Sequence, residues 1–271
     1  TKELRFQAEN IATQLGNNNG FNCNAIKVLI LQKDWPQKRE FLDMLRSVLA
    51  TLPPRAAYYP GADQRYDKVL AAHPEGETIG ERTDSVLPYT LICEVDPAQT
   101  DDICFREESF CGLLAQTSLS ASTVPEYLEQ AVTFCNDVLW GTLNVGIIID
   151  PRTEKRFAAE FDQTVADLKF GTIAINHWAG LGYGLGSTAW GAYPGHARTD
   201  IQSGVGKVHN TYLFDKALKN VIRGPFTVFP KPPWFVTHGR SQAVGKRMAA
   251  MEGSPSFLKI FGIAWNAIRG S

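Results

Sequence analysis

Asn17-Asn18-Asn19-Gly20-Phe21-Asn22-Cys23-Asn24 delivers one cysteine onto the front edge of the apolar run Ala25-Ile26-Lys27-Val28-Leu29-Ile30-Leu31. A polar, glycine-containing loop feeding a β-branched strand holds a thiol on rigid scaffolding and leaves it within reach of a ligand, which suits a nucleophile. The competing reading is a buried, inert cysteine, because free cysteine is among the most buried residue types. Two acidic residues precede a second apolar run, in Glu107-Glu108-Ser109-Phe110-Cys111-Gly112-Leu113-Leu114-Ala115. A carboxylate placed this way can accept hydrogen bonds from sugar hydroxyls, or it can be a solvated turn.

The elements that must hold these residues alternate. Leu4, Ala8, Ile11, Ala12 and Leu15 recur at helical spacing over 3–16, and a strand follows at 26–32. Asp34 caps a helix opened by Trp35-Pro36, whose apolar face is Phe41, Leu42, Leu45, Val48 and Leu49. A short helix over 63–72, a polar excursion over 74–86 and a strand at 90–95 come next. The spacing then predicts a helix over 123–138, a strand over 143–149, a helix over 154–168 and a strand over 171–175. Helix and strand in alternation predict an α/β fold with a mostly parallel sheet covered by helices. The strands at 26–31, 143–149 and 171–175 are the most continuously apolar and are expected at its centre.

After Asn176 the texture changes. Residues 177–210 form a glycine-rich loop containing Trp178 and Trp190, and such loops inside compact domains are usually functional or poorly ordered. Gly180, Gly182, Gly184 and Gly186 alternate, but the sixth position of a dinucleotide fingerprint is Leu185 or Ser187, and no strand turns straight into a helix there. A short helix is expected over 212–220. The proline-rich arm around Phe229-Pro230-Lys231-Pro232-Pro233-Trp234 cannot enter a sheet interior, and helices over 241–251 and 255–268 close the chain.

Composition narrows the function classes. A net charge of −1 gives no electrostatic footprint for nucleic acid or an anionic membrane. The five cysteines are odd in number and form no CxxC pair, so neither a disulfide framework nor a zinc site is indicated, and a reducing, cytoplasmic setting is the simpler expectation. No run is long and apolar enough for a transmembrane helix. The chain begins at Thr1 on a segment already patterned as a helix, which is the expected appearance of a piece of a longer protein.

Taken together, the motifs resemble the catalytic half of the aldehyde dehydrogenase superfamily. Gly20-Phe21-Asn22-Cys23 is similar to the family's Gly-Gln-x-Cys nucleophile motif, and Glu107 to Leu113 to its Glu-Glu-Ile-Phe-Gly-Pro-Val segment. Leu168 to Asn176 is similar to Leu-x-x-Gly-x-Val-x-Val-Asn, Trp190-Gly191-Ala192 lies near Phe-Gly-Gly, and Ser203-Gly204-Val205-Gly206 matches Ser-Gly-x-Gly. The stretch 124–149 fits through Ala131, Asn136 and Trp140-Gly141-Thr142-Leu143. The resemblance covers residues 3–226. It departs at Phe21, at Cys111-Gly112, in the extra segment Tyr193 to Gln202, and in 225–271, which has no counterpart.

The resemblance implies a three-layer αβα catalytic domain over 1–226, with 227–271 as an arm and helices packed on it. It implies NAD(P)-dependent oxidation of a small-molecule aldehyde to an acid. Cys23 would attack the carbonyl to give a thiohemiacetal, which is oxidised to a thioester that water hydrolyses. Glu108 would hold the nicotinamide ribose and Phe110 would pack against the nicotinamide. NAD or NADP would be bound mainly by a nucleotide-binding domain upstream of Thr1, which would also carry the general base, and the full-length protein would be a homo-oligomer. Asn176, Trp178 and Trp190 would line the substrate entrance. A catalytically inactive structural or interaction module with the same fold is the alternative, and a cysteine hydrolase using His177, His196 or His209 is a third reading. No Lys or His is adjacent to Cys23 in sequence, so its activation is expected from elsewhere.

Overall fold

The computed structural model describes all 271 residues. The chain opens with α1 (Lys2–Gly16), β1 (Val28–Gln32), α2 (Lys38–Leu49), α3 (Ala62–Ala72), β2 (Glu77–Ile79) and β3 (Tyr89–Val95). Then come α4 (Ile103–Arg106), β4 (Leu113–Leu119), α5 (Val124–Thr133), β5 (Asn144–Ile147), α6 (Pro151–Arg156), α7 (Ala158–Asp167) and β6 (Thr172–Ile175). The last part holds α8 (Gly180–Gly184), β7 (Ala189–Trp190), β8 (Val208–His209), β9 (Asn220–Arg223), α9 (Ser241–Gly253) and α10 (Phe257–Gly270).

Two main sheets result, both mainly parallel. The first has the order β1-β4-β3-β2, with only the β2–β3 pair antiparallel, and the second is β5-β6-β9, parallel throughout. Alternation along the strands sends successive side chains to opposite faces. Leu29, Leu91 and Leu114 pack under α1 and α2. Val28, Ile92, Leu113 and Ala115 face the other way, onto Tyr66 and Val69 of α3 and Phe105 of α4. In the second sheet Ile173 and Ile175 pack with Leu128 of α5 and Phe161 of α7, whereas Ala174 meets Ala179 and Ile222 on the opposite side. The first sheet is therefore the middle of three layers, as expected, and the second is covered by α5 and α7 on one face and by the segment at Ala179 on the other.

Three details of the expected fold change. The expected single sheet is two, and its presumed central strands are mostly edges: β4 and β3 occupy the middle of the first sheet and β6 the middle of the second. Continuous apolarity reports burial on both faces, not centrality. β1 reads that way because its edge is covered, with Ile30 packed into the cores of both sheets and the Tyr127 hydroxyl donating to Ile30 O at 3.0 Å. The helix expected over 212–220 is absent; turns lead instead into β9, which pairs in parallel with β6. The helix expected over 154–168 is broken at Phe157 into α6 and α7.

The extra segment 193–202 is accommodated because the motifs around it still meet. A Cβ on Gly171 would lie 1.7 Å from Gly191 O, so only glycine permits that approach. Lys207 Nζ donates to Ala192 O at 2.7 Å and the Ser203 hydroxyl accepts from Thr142 N–H at 2.9 Å. The proline-rich arm lies along α1. Lys231 Nζ is 2.7 Å from Glu9 Oε2, the Thr237 hydroxyl donates to the same carboxylate at 3.0 Å, and Val236 N–H donates to Thr13 Oγ1 at 3.1 Å. The Phe6 and Phe235 rings pack at a tilt, 5.0 Å apart, beside these bonds.

Burial pushes the Glu9 carboxyl up, but hydrogen bonds from Lys231 and Arg5 outweigh it and hold the group below its ordinary value. A carboxylate lowered in the folded state stabilises at pH above the unfolded value, about 4.3, and that contribution is lost as pH falls through the folded one. Hydrogen exchange of residues 227–240 should therefore stay protected at pH 5 and lose protection as pH drops below about 4. Glu9→Gln should weaken the docked arm by roughly 1.5–3 kcal/mol at pH 7, the worth of hydrogen bonds to a charged group, and remove the acid step.

Candidate active site

The cysteine loop owes its shape to asparagine and glycine. Asn18 and Asn19 take left-handed φ values of 50° and 57°, which asparagine tolerates better than other side-chain-bearing residues. Gly20 sits at φ +78°, and a Cβ there would lie 2.5 Å from Cys111 O. The nucleophile motif and the Glu-Glu motif thus touch through their backbones. Lys27 closes the contact: its ammonium donates to Cys111 O at 2.7 Å and Gly20 O at 3.2 Å. Asn144 Nδ2 donates to Cys23 O at 2.9 Å, and Trp178 Nε1 donates to Asn24 O at 2.8 Å. The loop is pinned from both sheets.

Cys23 and Glu108 both precede neighbouring parallel strands, β1 and β4, and so share the amino-terminal end of the first sheet. Cys23 is exposed, Cys93 is partly covered, and Cys104, Cys111 and Cys135 are buried. Protein packed behind the sulfur pushes the Cys23 thiol up, its own backbone N–H opposes this, and the Glu108 carboxylate pushes it further up. No cation enters that balance. The Cys23 N–H donates to no protein oxygen, which leaves it free for an oxyanion.

Glu108 accepts no hydrogen bond from the chain and forms no ion pair, while Glu107 is tied to Lys68. Burial raises the Glu108 carboxyl, opposed by the nearby Lys27 and Arg65 cations. Phe110 stands at φ +45°, a strained setting for an aromatic residue, held where Tyr59 packs 4.7 Å from its ring. Phe21, the departure from the family's glutamine, is buried between Tyr58, Tyr59 and Phe110 at ring separations of 5.2, 6.0 and 6.4 Å.

The remaining sequence-predicted residues sit differently. Trp178 reaches the cysteine loop, as a hydrogen-bond donor. Asn176 is 4% exposed, with φ +62°, and its Oδ1 accepts from Ile149 N–H at 2.8 Å, stitching the ends of β5 and β6 together. Trp190 is 6% exposed and packs edge-on against Tyr183. His196 bonds Thr142 Oγ1, and His209 lies against Tyr183, so neither hydrolase candidate is engaged with Cys23. His177 is half-buried with Nδ1 unpartnered, and burial lowers its basicity.

Sequence reading passed over Lys27, Arg65, Tyr58 and Tyr59. Lys27 is four positions after Cys23 inside an otherwise apolar run, which was the available signal. Tyr58 and Tyr59 read only as a turn before Pro60-Gly61, and their large exposure becomes meaningful once Phe21 and Phe110 stand beside them.

If the Glu108 charge acts on the thiol, Glu108→Gln should lower the thiol's pKa. At pH 7.5, iodoacetamide should then alkylate Cys23 faster, because a larger fraction of the thiol is ionised. An unchanged or slower rate would remove the coupling. Preferential labelling of Cys23 over the other cysteines is expected from exposure alone and does not distinguish a nucleophile.

No known family profile matches this sequence, and no curated protein does. Solved structures do. An indole-3-acetaldehyde dehydrogenase complexed with NAD+ is 19% identical and aligns over 79% of this chain and 41% of its own, with a TM-score of 0.61. The aldehyde dehydrogenase KauB from Pseudomonas aeruginosa is 21% identical over the same shares, also at 0.61. The GapN glyceraldehyde-3-phosphate dehydrogenase of Methanocaldococcus jannaschii, complexed with NADP, is 16% identical over 77% of this chain and 42% of its own, at 0.55. The chain thus spans about two-fifths of the length of the structures it matches. No helix is long and apolar enough to cross a membrane. In architecture, the chain is a divergent piece of the aldehyde dehydrogenase fold.

Proposed function

We propose that this chain is the catalytic portion of an NAD(P)-dependent dehydrogenase that oxidises an aldehyde to a carboxylic acid, with Cys23 as nucleophile. The observation that carries the reading is the backbone contact of Gly20 with Cys111, which sets an exposed thiol and an unpartnered carboxylate at one end of one sheet. The Cys23 sulfur, as thiolate, attacks the aldehyde carbon, and the former carbonyl oxygen takes the negative charge. The free Cys23 N–H faces that charge as one oxyanion donor. Glu108 fits a nucleotide ribose, because its acceptor oxygens are unused and the Lys27 and Arg65 charges stand beside it. Phe110, braced by Tyr59, would cover the nicotinamide end. When bound, the dinucleotide supplies the two-electron acceptor. Water then cleaves the Cys23 thioester, releasing the acid and the thiol.

Trp178 holds the loop by its indole N–H, which assigns it a positioning role, whereas Asn176 joins the ends of β5 and β6 and Trp190 packs on Tyr183. The second reading, a structural or interaction module that keeps the fold without the chemistry, is favoured by one observation: burial and Glu108 both raise the Cys23 thiol, and no cation lowers it.

Turnover decides between them. In the full-length protein, Cys23→Ser should lower aldehyde oxidation by at least about a thousandfold across an aldehyde panel, with circular dichroism unchanged, because a hydroxyl without a strong base is a far weaker nucleophile. Retention of a tenth of the activity, a loss of only about 1.4 kcal/mol, would exclude Cys23 as nucleophile. The 271-residue chain by itself offers ribose and nicotinamide contacts but no phosphate-binding glycine loop, so calorimetry should find no micromolar NAD(P) affinity.

A further inference from the structure

The turn after α3 and the first turn of α4 bring together side chains that no sequence spacing links. His73 closes α3 and is 9% exposed. Its Nε2 lies 3.0 Å from Asp102 Oδ2 and its Nδ1 2.9 Å from Glu75 Oε1. Asp102 caps α4, accepting from the Cys104 N–H at 2.8 Å, which sets its carboxylate over the buried thiol two residues on. Imidazole nitrogen, carboxylate oxygen and thiol sulfur all lie within 4.8 Å of one another.

We propose that His73 Nε2, the Asp102 carboxylate and Cys104 Sγ form a site for a thiophilic divalent cation of the zinc type, with Glu75 holding His73 Nδ1–H. One nitrogen, one oxygen and one sulfur ligand match what zinc accepts, leaving a fourth tetrahedral position to water. Helix capping alone accounts for Asp102 and the Cys104 N–H; it does not require an imidazole gripped by carboxylates at both ring nitrogens. A neutral ring carries one N–H and can satisfy one of them. An imidazolium satisfies both, and so does a cation at Nε2: Nδ1–H stays on Glu75 and the Nε2 lone pair goes to the metal, the usual outer-shell arrangement of a metal-bound histidine. Charge also balances: the dication meets one carboxylate and one thiolate. Binding forms the metal–sulfur bond and releases the Cys104 thiol proton to solvent, so affinity should rise with pH. Because α4 runs directly into Glu107 and Glu108, the cation would anchor the base of the segment that carries the candidate ribose ligand.

The test uses the full chain, freed of metal by chelator dialysis, titrated with Zn²⁺ by calorimetry and with Co²⁺ by absorption. Wild type should bind one equivalent of Zn²⁺ and show a near-ultraviolet thiolate-to-cobalt band. Cys104→Ser should abolish the band, whereas Cys23→Ser, which removes the one exposed thiol, should keep it. His73→Gln should weaken Zn²⁺ binding at least tenfold, and Glu75→Gln by about 10–100-fold. Glu75 is solvent-exposed, so its substitution tests the site without threatening the fold. Absence of stoichiometric binding, a cobalt band that persists in Cys104→Ser, or unchanged affinity in Glu75→Gln would each overturn the assignment. The cluster would then be an imidazolium held between two carboxylates.

Discussion

One buried ammonium holds the candidate active site in register. Lys27 stands at the junction of the cysteine loop and β1, and its ammonium donates to one carbonyl on each of the two segments that carry Cys23 and Glu108. Those segments are 84 residues apart in sequence, between Lys27 and Cys111. Their relative position cannot be set by local propensity. It is set by the parallel pairing of β1 with β4, by the Cβ-free approach at Gly20, and by this charge-assisted bridge. Phe21, Tyr59 and Phe110 then pack around the bridge, with the Lys27 ammonium 6.0 Å from the Phe110 ring.

The departures from the family pattern become intelligible in that frame. Phenylalanine at position 21 removes a polar side chain and adds a ring, and the structure supplies Tyr58, Tyr59 and Phe110 to receive it. Cys111 in place of glycine is buried, and its carbonyl is what Lys27 holds. With both residues present, the two motifs meet through the backbones of Gly20 and Cys111. Beside the inserted loop 193–202, Gly171 meets Gly191 and Lys207 bonds the Ala192 carbonyl.

Much of the helix and strand succession up to Ile175 was legible in the sequence because it rests on short-range periodicity, and α1, α2, α5 and β6 fall where the apolar spacing places them, whereas β2 lies inside the expected polar excursion and α6 and α7 replace one expected helix. Sheet order was not legible. β1 is apolar on both faces yet lies at an edge, since α5 and the second sheet cover it, and nothing within residues 26–32 records that cover. β9 escaped for a related reason: Asn220 to Arg223 carries two apolar residues, and its strand character comes from pairing with β6. For the candidate site, motif residues pointed to Cys23, Glu108 and Phe110, whereas Lys27 and Arg65 enter only through tertiary placement. Asn176 was read as lining the substrate entrance because it ends a stretch that resembles a family motif. Its left-handed backbone, and the use of its amide to cap the end of β5, are three-dimensional facts.

The bridge also has an energetic cost that argues for its purpose. Burial pushes the Lys27 ammonium down to about 8, against the pull of Cys111 and Glu108 and with the push of Arg65. A lysine lowered this far binds fewer protons in the folded state than in the unfolded one between about pH 8 and its ordinary value near 10.4. Stability contributed by this position therefore rises with pH across that window, and at neutral pH the charged form is held at a penalty. An uncharged residue of similar length would avoid the penalty and would leave the Gly20 and Cys111 carbonyls without their donor. A fold that needed only a packed interior at this point has cheaper solutions. The ammonium serves geometry, because it keeps the thiol loop and the acidic loop at a fixed separation while remaining a charge that Glu108 senses. The same charge does not reach Cys23, whose thiol senses burial and Glu108 instead. Positioning and activation are thus separate in this structure: Asn144 and Trp178 hold the Cys23 loop in place, and no cation of the chain lowers its thiol.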